Sequence, residues 1–254
     1  MTEKKQEFRV DFHVHSEASP DGLSSLDELA KAAKTAGLDA IAIADHNRFA
    51  LEKPEEREGV LLLPACEVST QSGHVLALFC DTPFDPSKLT GDGVSVLPTA
   101  KRAIVEIHAH GGLAVIAHPY EKKDRELSGL ETQLDGVEAA NSRARFHNPE
   151  ANAMAEAYAK AHGLPMLGGS DAHSAKAVGN AYTVVAAEAP ADFRDAVKSG
   201  RCRPVYVRDT PRVQKGFSQM EKAKRSGSPY LVLRGAAYIA YCFLRDLLPQ
   251  ARKG

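Results

Sequence analysis

Five short apolar runs in this chain end at a histidine or an acid, and that recurrence restricts the fold more than any other feature. FRVDFHVH ends in His13 and His15, and AIAIADH in Asp45 and His46. VLLLPACEV delivers Glu67, and seven residues later His74 opens HVLALF. LAVIAHP carries His118, and PMLGGSDAH carries Asp171 and His173. Side chains on a strand alternate between faces, so Asp11, His13 and His15 share one face. In a parallel α/β protein, reactive groups gather at the C-terminal strand ends, where the connecting loops converge. The pattern therefore predicts a parallel α/β protein with these side chains brought to one end.

The residue types fit metal binding. Asp21, in the turn SEASPDGLSS, adds a carboxylate just past the first histidine pair, giving nine candidate ligands: His13, His15, Asp21, His46, Glu67, His74, His118, Asp171 and His173. Zinc takes about four donors, and manganese or iron up to about six, so nine exceed one ion. Two or three divalent metals (Mn, Fe or Zn) sharing carboxylates satisfy the count, with Glu67 and Asp171 as the natural bridges.

Taken in order, DFHVHSEASPDG, AIADHN, CEVS followed by GH, AHP and GGSDAH resemble the PHP family, the polymerase and histidinol phosphatase domain, from about residue 10 to about residue 180. The resemblance implies a distorted seven-stranded (βα)7 TIM-like barrel and a metal site that hydrolyses phosphate esters through a metal-bridging hydroxide. Carried over, His13, His15, Glu67 and Asp171 hold one metal. Glu67, His74 and His118 hold the second, and Asp21, His46 and His173 the third. Asp21 stands where some relatives carry a histidine. The short chain resembles the stand-alone phosphatases and phosphodiesterases, acting on a small metabolite or nucleotide: a nucleoside bisphosphate, an oligonucleotide or a cyclic phosphate. Two other readings are a proofreading or structural module that serves a separate polymerase, and a metal-binding protein without catalysis. Degenerate sites usually lose ligands, and here none is missing.

The intervening sequence alternates regularly. Ser25 and Glu28 form a capping box, followed by an apolar face of Leu26, Leu29, Ala30 and Ala33 and a glycine stop at Gly37. Strands are predicted over 40–46, 60–68, 74–80, 113–118, 136–140, 165–169 and AYTVVAA. Helices are predicted over 98–110, over 149–162 opened by Asn148-Pro149, and in ADFRDAVKSG. NRFALEKPEEREG reads as a polar connection. The 254 residues divide into a barrel over 1–210 and a C-terminal helical extension over 211–254 that supplies no chemistry. In that extension the longest uncharged apolar stretch is too short to span a bilayer, which needs about 20 residues. It fits a helix packed on the barrel, a homo-oligomer contact or a membrane-surface contact.

Thirty-two basic and thirty-three acidic residues give no global nucleic-acid footprint. The four cysteines are widely spaced and read as small buried hydrophobes. MTEKKQEFRV lacks the apolar stretch of a secretory signal, so the expected location is cytoplasmic, and the expected partner is a small phosphorylated substrate.

The loop NSRARFHN follows a strand end on the metal side and supplies the remaining catalytic and substrate-binding candidates. Arg143 is expected to grip phosphate oxygens as a fork, with Asn141 and Arg145 beside it. His147 is a candidate proton donor to the leaving group, and Asp45 is expected to orient a metal-bound imidazole. His108, His110 and His162 fall on or beside helices and read as surface or packing residues.

Overall fold

The computed structural model describes residues 6–247 except 92, 94, 123, 124 and 126. One sheet organises it. Strand β1 (Gln6–Val14) pairs in parallel with β2 (Ala40–His46), which pairs in parallel with β4 (Val60–Thr70). A tight turn then reverses the chain into β5 (Gly73–Leu78), antiparallel to β4 and also to β6 (Leu113–Ile116). Parallel pairing resumes from β6 to β7 (Gly136–Asn141) and β8 (Met166–Gly169). On the other flank, β9 (Ala181–Ala187) runs antiparallel to β1, and β10 (Cys202–Tyr206) antiparallel to β9.

The sheet curls round so that its β8 end comes back against β1. Beyond β8, Ala172 bridges Val14 in parallel, and the Ser170 amide donates to Asp11 Oδ1 at 2.9 Å. The result is the expected α/β barrel-like sheet, but its strands run in mixed directions. No helix separates β4 from β5, so seven even βα repeats do not describe it. Close approach at the seam requires glycine: a Cβ on Gly169 would lie 2.5 Å from both Glu138 Oε1 and His13 Cβ. One on Gly168 would lie 2.4 Å from the Tyr182 carbonyl.

Two strands escape the sequence pattern. The three-residue β3 (Glu55–Arg57) lies inside the stretch expected to be a plain connection and pairs with the edge of β4. Strand β10 contains Pro204, which cannot donate to a ladder and is tolerated because the strand is outermost.

Helix α1 (Leu26–Thr35) starts at the expected Ser25–Glu28 capping box and buries Leu29, Ala30 and Ala33 against β2 and β4. Helix α2 (Ala100–Ala109) buries Ala103, Ile104 and Ile107. Helix α3 (Ala151–His162) begins two residues later than its proline signal: Asn148 Oδ1 accepts from the Glu150 amide and its carbonyl from the Ala151 amide, so Pro149 lies in the preceding turn. Inside the barrel, Phe12, Leu76, Leu78, Val115 and Leu167 belong to one continuous apolar cluster. Each such side chain stabilises by about 1.5–3 kcal/mol when fully buried, so the polar strand ends stand on a rigid floor.

After α4 (Phe193–Lys198) and β10, the chain ends in an antiparallel pair, α5 (Arg212–Arg225) and α6 (Pro229–Leu247). The pair is joined to the barrel by polar contacts. The Arg225 guanidinium donates to the carbonyls of Glu17, Ser19 and Gly22, in the loop that carries Asp21. The Asp246 carboxylate accepts the free amides of Arg212 and Val213, capping α5 from α6. Among the described residues no helix is long and apolar enough to cross a membrane.

Candidate metal centre

All nine expected ligands converge at one end of the sheet. His13 and His15 leave β1 on the same face, with their Nε2 atoms 3.1 Å apart. Glu67, from β4, is at the centre: its carboxylate lies 2.8 Å from His46 Nδ1, 2.7 Å from His74 Nδ1, 2.9 Å from His118 Nε2 and 3.4 Å from His15 Nε2. Asp171 Oδ1 lies 3.4 Å from His15 Nε2 and 3.3 Å from His173 Nδ1. Asp21 closes the opposite side, 3.4 Å from His173 Nε2 and 3.7 Å from His46 Nε2.

These contacts are not an ordinary hydrogen-bond network. Asp21 Oδ1, Glu67 Oε2 and His74 Nδ1 are buried without a hydrogen-bond partner, although ring nitrogens and carboxylate oxygens crowd around them. Buried polar atoms are nearly always paired, so lone pairs aimed at one another mark a space suited to cations. Four triads have donor atoms close enough to share an ion: His13, His15 and Asp171; His15, His46 and His173; His46, Glu67 and His74; and His13, His118 and Glu138. The donor set therefore fits two or three divalent metals. Backbone conformation points the same way, because the candidate ligands His118 and Asp171, and Asn47 beside His46, have positive φ (28°, 52° and 52°). Strain of this kind persists only where surrounding structure enforces it, and it clusters at functional sites.

The electrostatics divide the donors. Burial alone would raise the Glu67 carboxyl, but His74, His46 and His13 hold it well below the usual carboxylate range. Asp171 is also held well below that range against its burial, chiefly by Arg143 and His13. Burial together with neighbouring cations keeps His15 and His173 below the ordinary imidazole value, whereas Glu138 and Glu67 hold His13, and Glu67 holds His46 and His118, above it against their burial. Ionised carboxylates and neutral imidazoles are the forms that bind metals.

The relatives agree with this geometry. Residues 11–89 match the sequence profile of the PHP domain, and residues 149–202 that of a PHP-associated region. An uncharacterized protein of Methanocaldococcus jannaschii is 30% identical over 183 residues, covering 68% of this chain and 69% of its own length. The chain belongs to the PHP family. A protein of Syntrophotalea carbinolica named a probable phosphatase is 27% identical over 197 residues, covering 66% of this chain and 82% of that protein. The fold is similar to the crystal structure of a two-domain protein of Bacteroides vulgatus containing a predicted PHP-like metal-dependent phosphoesterase, at 21% identity and a TM-score of 0.59. That match covers 80% of this chain but only 66% of the other.

Within this PHP chain, the residues around the ligands depart from several expectations. Asp45 orients no imidazole: its oxygens accept from the Ser16 amide and hydroxyl, both at 2.7 Å, because neighbouring strand residues point to opposite faces. It therefore holds the loop from which Ser19 reaches His15 Nδ1 at 3.2 Å. The orienting carboxylate is Glu138, which the sequence reading passed over. Glu138 Oε1 accepts from His13 Nδ1 at 2.9 Å, and Oε2 accepts from the His118 amide and from Asn141 Nδ2. Its one sequence signal is a lone acid in the middle of the apolar strand GVEAAN.

Asn141 is fully engaged within the protein and does not line the cavity. Its amide donates to Glu138 and, at 3.4 Å, to Asp171, while Oδ1 accepts from the amides of Arg143 and Ala144. Arg145 points away from the metal cavity, donating to the Pro149 carbonyl and the Tyr206 hydroxyl and pairing with Asp209. Arg143 precedes the short 3-10 turn at 144–146 and Arg145 lies within it, so the two side chains diverge. His147 is half exposed and contacts Lys215 Nζ at 2.8 Å, with its pKa lowered by burial and by that ammonium. It is absent from the cavity wall, which Arg143 and Glu121 do line. Arg143 is buried in that wall, touching His173 Nδ1 and, at 3.2 Å, the Asp171 carbonyl.

The C-terminal extension is not remote from the site. Lys215, Gln219 and Lys222 of α5 line the mouth of the cavity, and Ser218 lies 3.4 Å from Arg143 Nη2. A helix beyond the last histidine carries no ligand signature, and only tertiary packing brings it there.

The role of Glu138 can be tested by Glu138→Gln, which keeps the shape but weakens the His13 hydrogen bond. Metal affinity or activity should fall about 10–100-fold, as for other carboxylates behind a ligating imidazole, with melting temperature little changed. Unaltered metal titration and kinetics in this variant would remove Glu138 from the site.

Proposed function

We propose that this chain is a metal-dependent phosphoesterase that hydrolyses mono- or diesters of a small phosphorylated metabolite or nucleotide. The observation that carries this reading is the cavity of about 330 Å³ above the ligands, whose floor holds unpaired donors and whose wall holds Arg143, Lys215 and Lys222. A structural metal site is closed and fully coordinated, whereas a catalytic one remains open to substrate. Cations on the wall suit an anionic substrate, and the probable-phosphatase relative supports phosphate as that anion.

His13, His15, Asp21, His46, Glu67, His74, His118, Asp171 and His173 would hold two or three ions, with Glu67 and Asp171 shared. Divalent cations bound there supply a water nucleophile acidified to neutral pH and neutralise phosphoryl oxygens. Manganese, iron or zinc suits a set of imidazoles and carboxylates without thiolate. The chain's own contributions are orientation and charge. Glu138 fixes the ring of His13, Asp45 fixes the loop behind His15, and Arg143 faces the non-bridging oxygens of a phosphoryl group beside Asp171. Lys215, tied to Glu121 at 3.0 Å, stands at the mouth, where it can steady the departing oxygen.

Protein grown with manganese, iron and zinc available is expected to contain two or three of these ions per chain. It should release phosphate from members of a panel of mono-, bis- and cyclic phosphates with added manganese, and a chelator should stop the release. One metal or none, or activity only on carboxylic esters or amides, would overturn the reading.

A further inference from the structure

A second cavity, of about 700 Å³, lies between α5 and α6 and shares Lys215, Gln219 and Lys222 with the metal cavity. Its remaining wall is largely apolar, with Ala223, Leu231 and Tyr238, and Arg234 at its side. The three shared side chains join the groove to the metal cavity, and from them it runs outward along the helix pair. Lys215 is neutralised by Glu121, but neither Lys222 nor Arg234 has a side-chain hydrogen bond or ion pair among the described residues. The helices flanking the groove are closely seated. A Cβ on Gly216 would meet Ile239 at 3.0 Å, and one on Gly235 would meet Met220 at 3.3 Å. The groove is therefore preformed, and a ligand need not order it.

Resting on the phosphoesterase reading, we propose that the α5–α6 groove is the leaving-group subsite, and that the substrate is a phosphate ester whose leaving group combines an apolar or aromatic body with its own negative charge. In-line displacement places the leaving oxygen opposite the attacking one, so a leaving group must extend away from the metals. The barrel floor is packed, and one way out passes Lys215 and Lys222, which line both cavities, into the groove. Leu231 and Tyr238 then offer apolar contact, while Lys222 and Arg234 meet the second anion.

The test compares naphthyl phosphate with its carboxylated analogue on the full chain supplied with manganese, since the two esters differ only in the second anion. The wild type should prefer the carboxylated ester by about tenfold in kcat/KM, mainly through KM, the effect of roughly one exposed charge-assisted contact. Lys222→Ala with Arg234→Ala should bring the ratio close to one. A purely structural role for these residues would slow both esters in proportion and leave the ratio unchanged, which would overturn the proposal, as would a wild type without preference. If neither ester is hydrolysed, calorimetry with carboxynaphthol still decides the groove, while the phosphate panel decides the phosphoesterase reading. Binding that the double variant loses sustains the groove as an anion-reading site, and equal or absent binding in both proteins rejects it.

Discussion

Glu67→Gln is expected to lower kcat/KM by about four orders of magnitude, because the metal contribution it removes amounts to several kcal/mol of transition-state stabilisation. Glu67 is the one carboxylate within 3.5 Å of ring nitrogens from His13, His15, His46, His74 and His118. It is also fully buried, so no water can take its place cheaply. Glutamine keeps the volume but presents an uncharged oxygen and an amide that cannot ligate, so at least one ion should be lost. Elemental analysis should therefore fall together with turnover, while circular dichroism should show an intact fold. A variant with full metal content and near-normal kinetics would show that Glu67 does not share the ions.

The convergence of the candidate ligands was legible from the sequence for a physical reason. A strand fixes which side chains share a face, and the C-terminal ends of neighbouring strands must lie side by side, so donors at successive ends have to meet. That logic extends to His13, His15, His46, Glu67, His118, Asp171 and His173 without any knowledge of the loops. His74 obeys it by another route. It opens β5 directly after the turn from β4, so the start of an antiparallel strand lies level with the end of its neighbour, and Ser69 pairs with His74.

What surrounds the ligands was less legible, because it depends on orientation. Glu138 is three residues before the strand's end, and a lone acid there gives no indication that both oxygens are used internally. Arg143 and Arg145 are two residues apart in one loop, yet the 3-10 turn that Arg143 precedes and Arg145 occupies sends one to the cavity and the other to Asp209. Helix α5 was hardest of all. Its contribution comes from Arg225 reaching three carbonyls around Asp21, contacts more than 200 residues apart in sequence that no periodicity records.

Arg143→Ala is expected to leave metal content unchanged and lower catalytic efficiency by about 10²–10³-fold, the loss typical of one preorganised donor to developing charge. The guanidinium is held in place before any substrate arrives: Asn141 Oδ1 accepts the Arg143 amide, the Asp171 carbonyl takes one Nη1 proton, and Ser218 supports Nη2. Its charge already stabilises the Asp171 carboxylate. Neutral His173 adds no competing charge, so a phosphoryl group entering beside Asp171 meets a fixed cation that has little reorganisation to undergo. Arg143→Lys should recover little of the loss, since an ammonium cannot offer the planar two-donor fork. Metal content separates this role from the alternative that the contacts to His173 and Asp171 suggest. If Arg143 only positions those two ligands, the alanine variant should lose metal in parallel with activity, and excess manganese should restore it. Retained metal with a persistent kcat defect assigns Arg143 to the substrate, and normal kinetics would leave phosphate recognition to the ions and to Lys215.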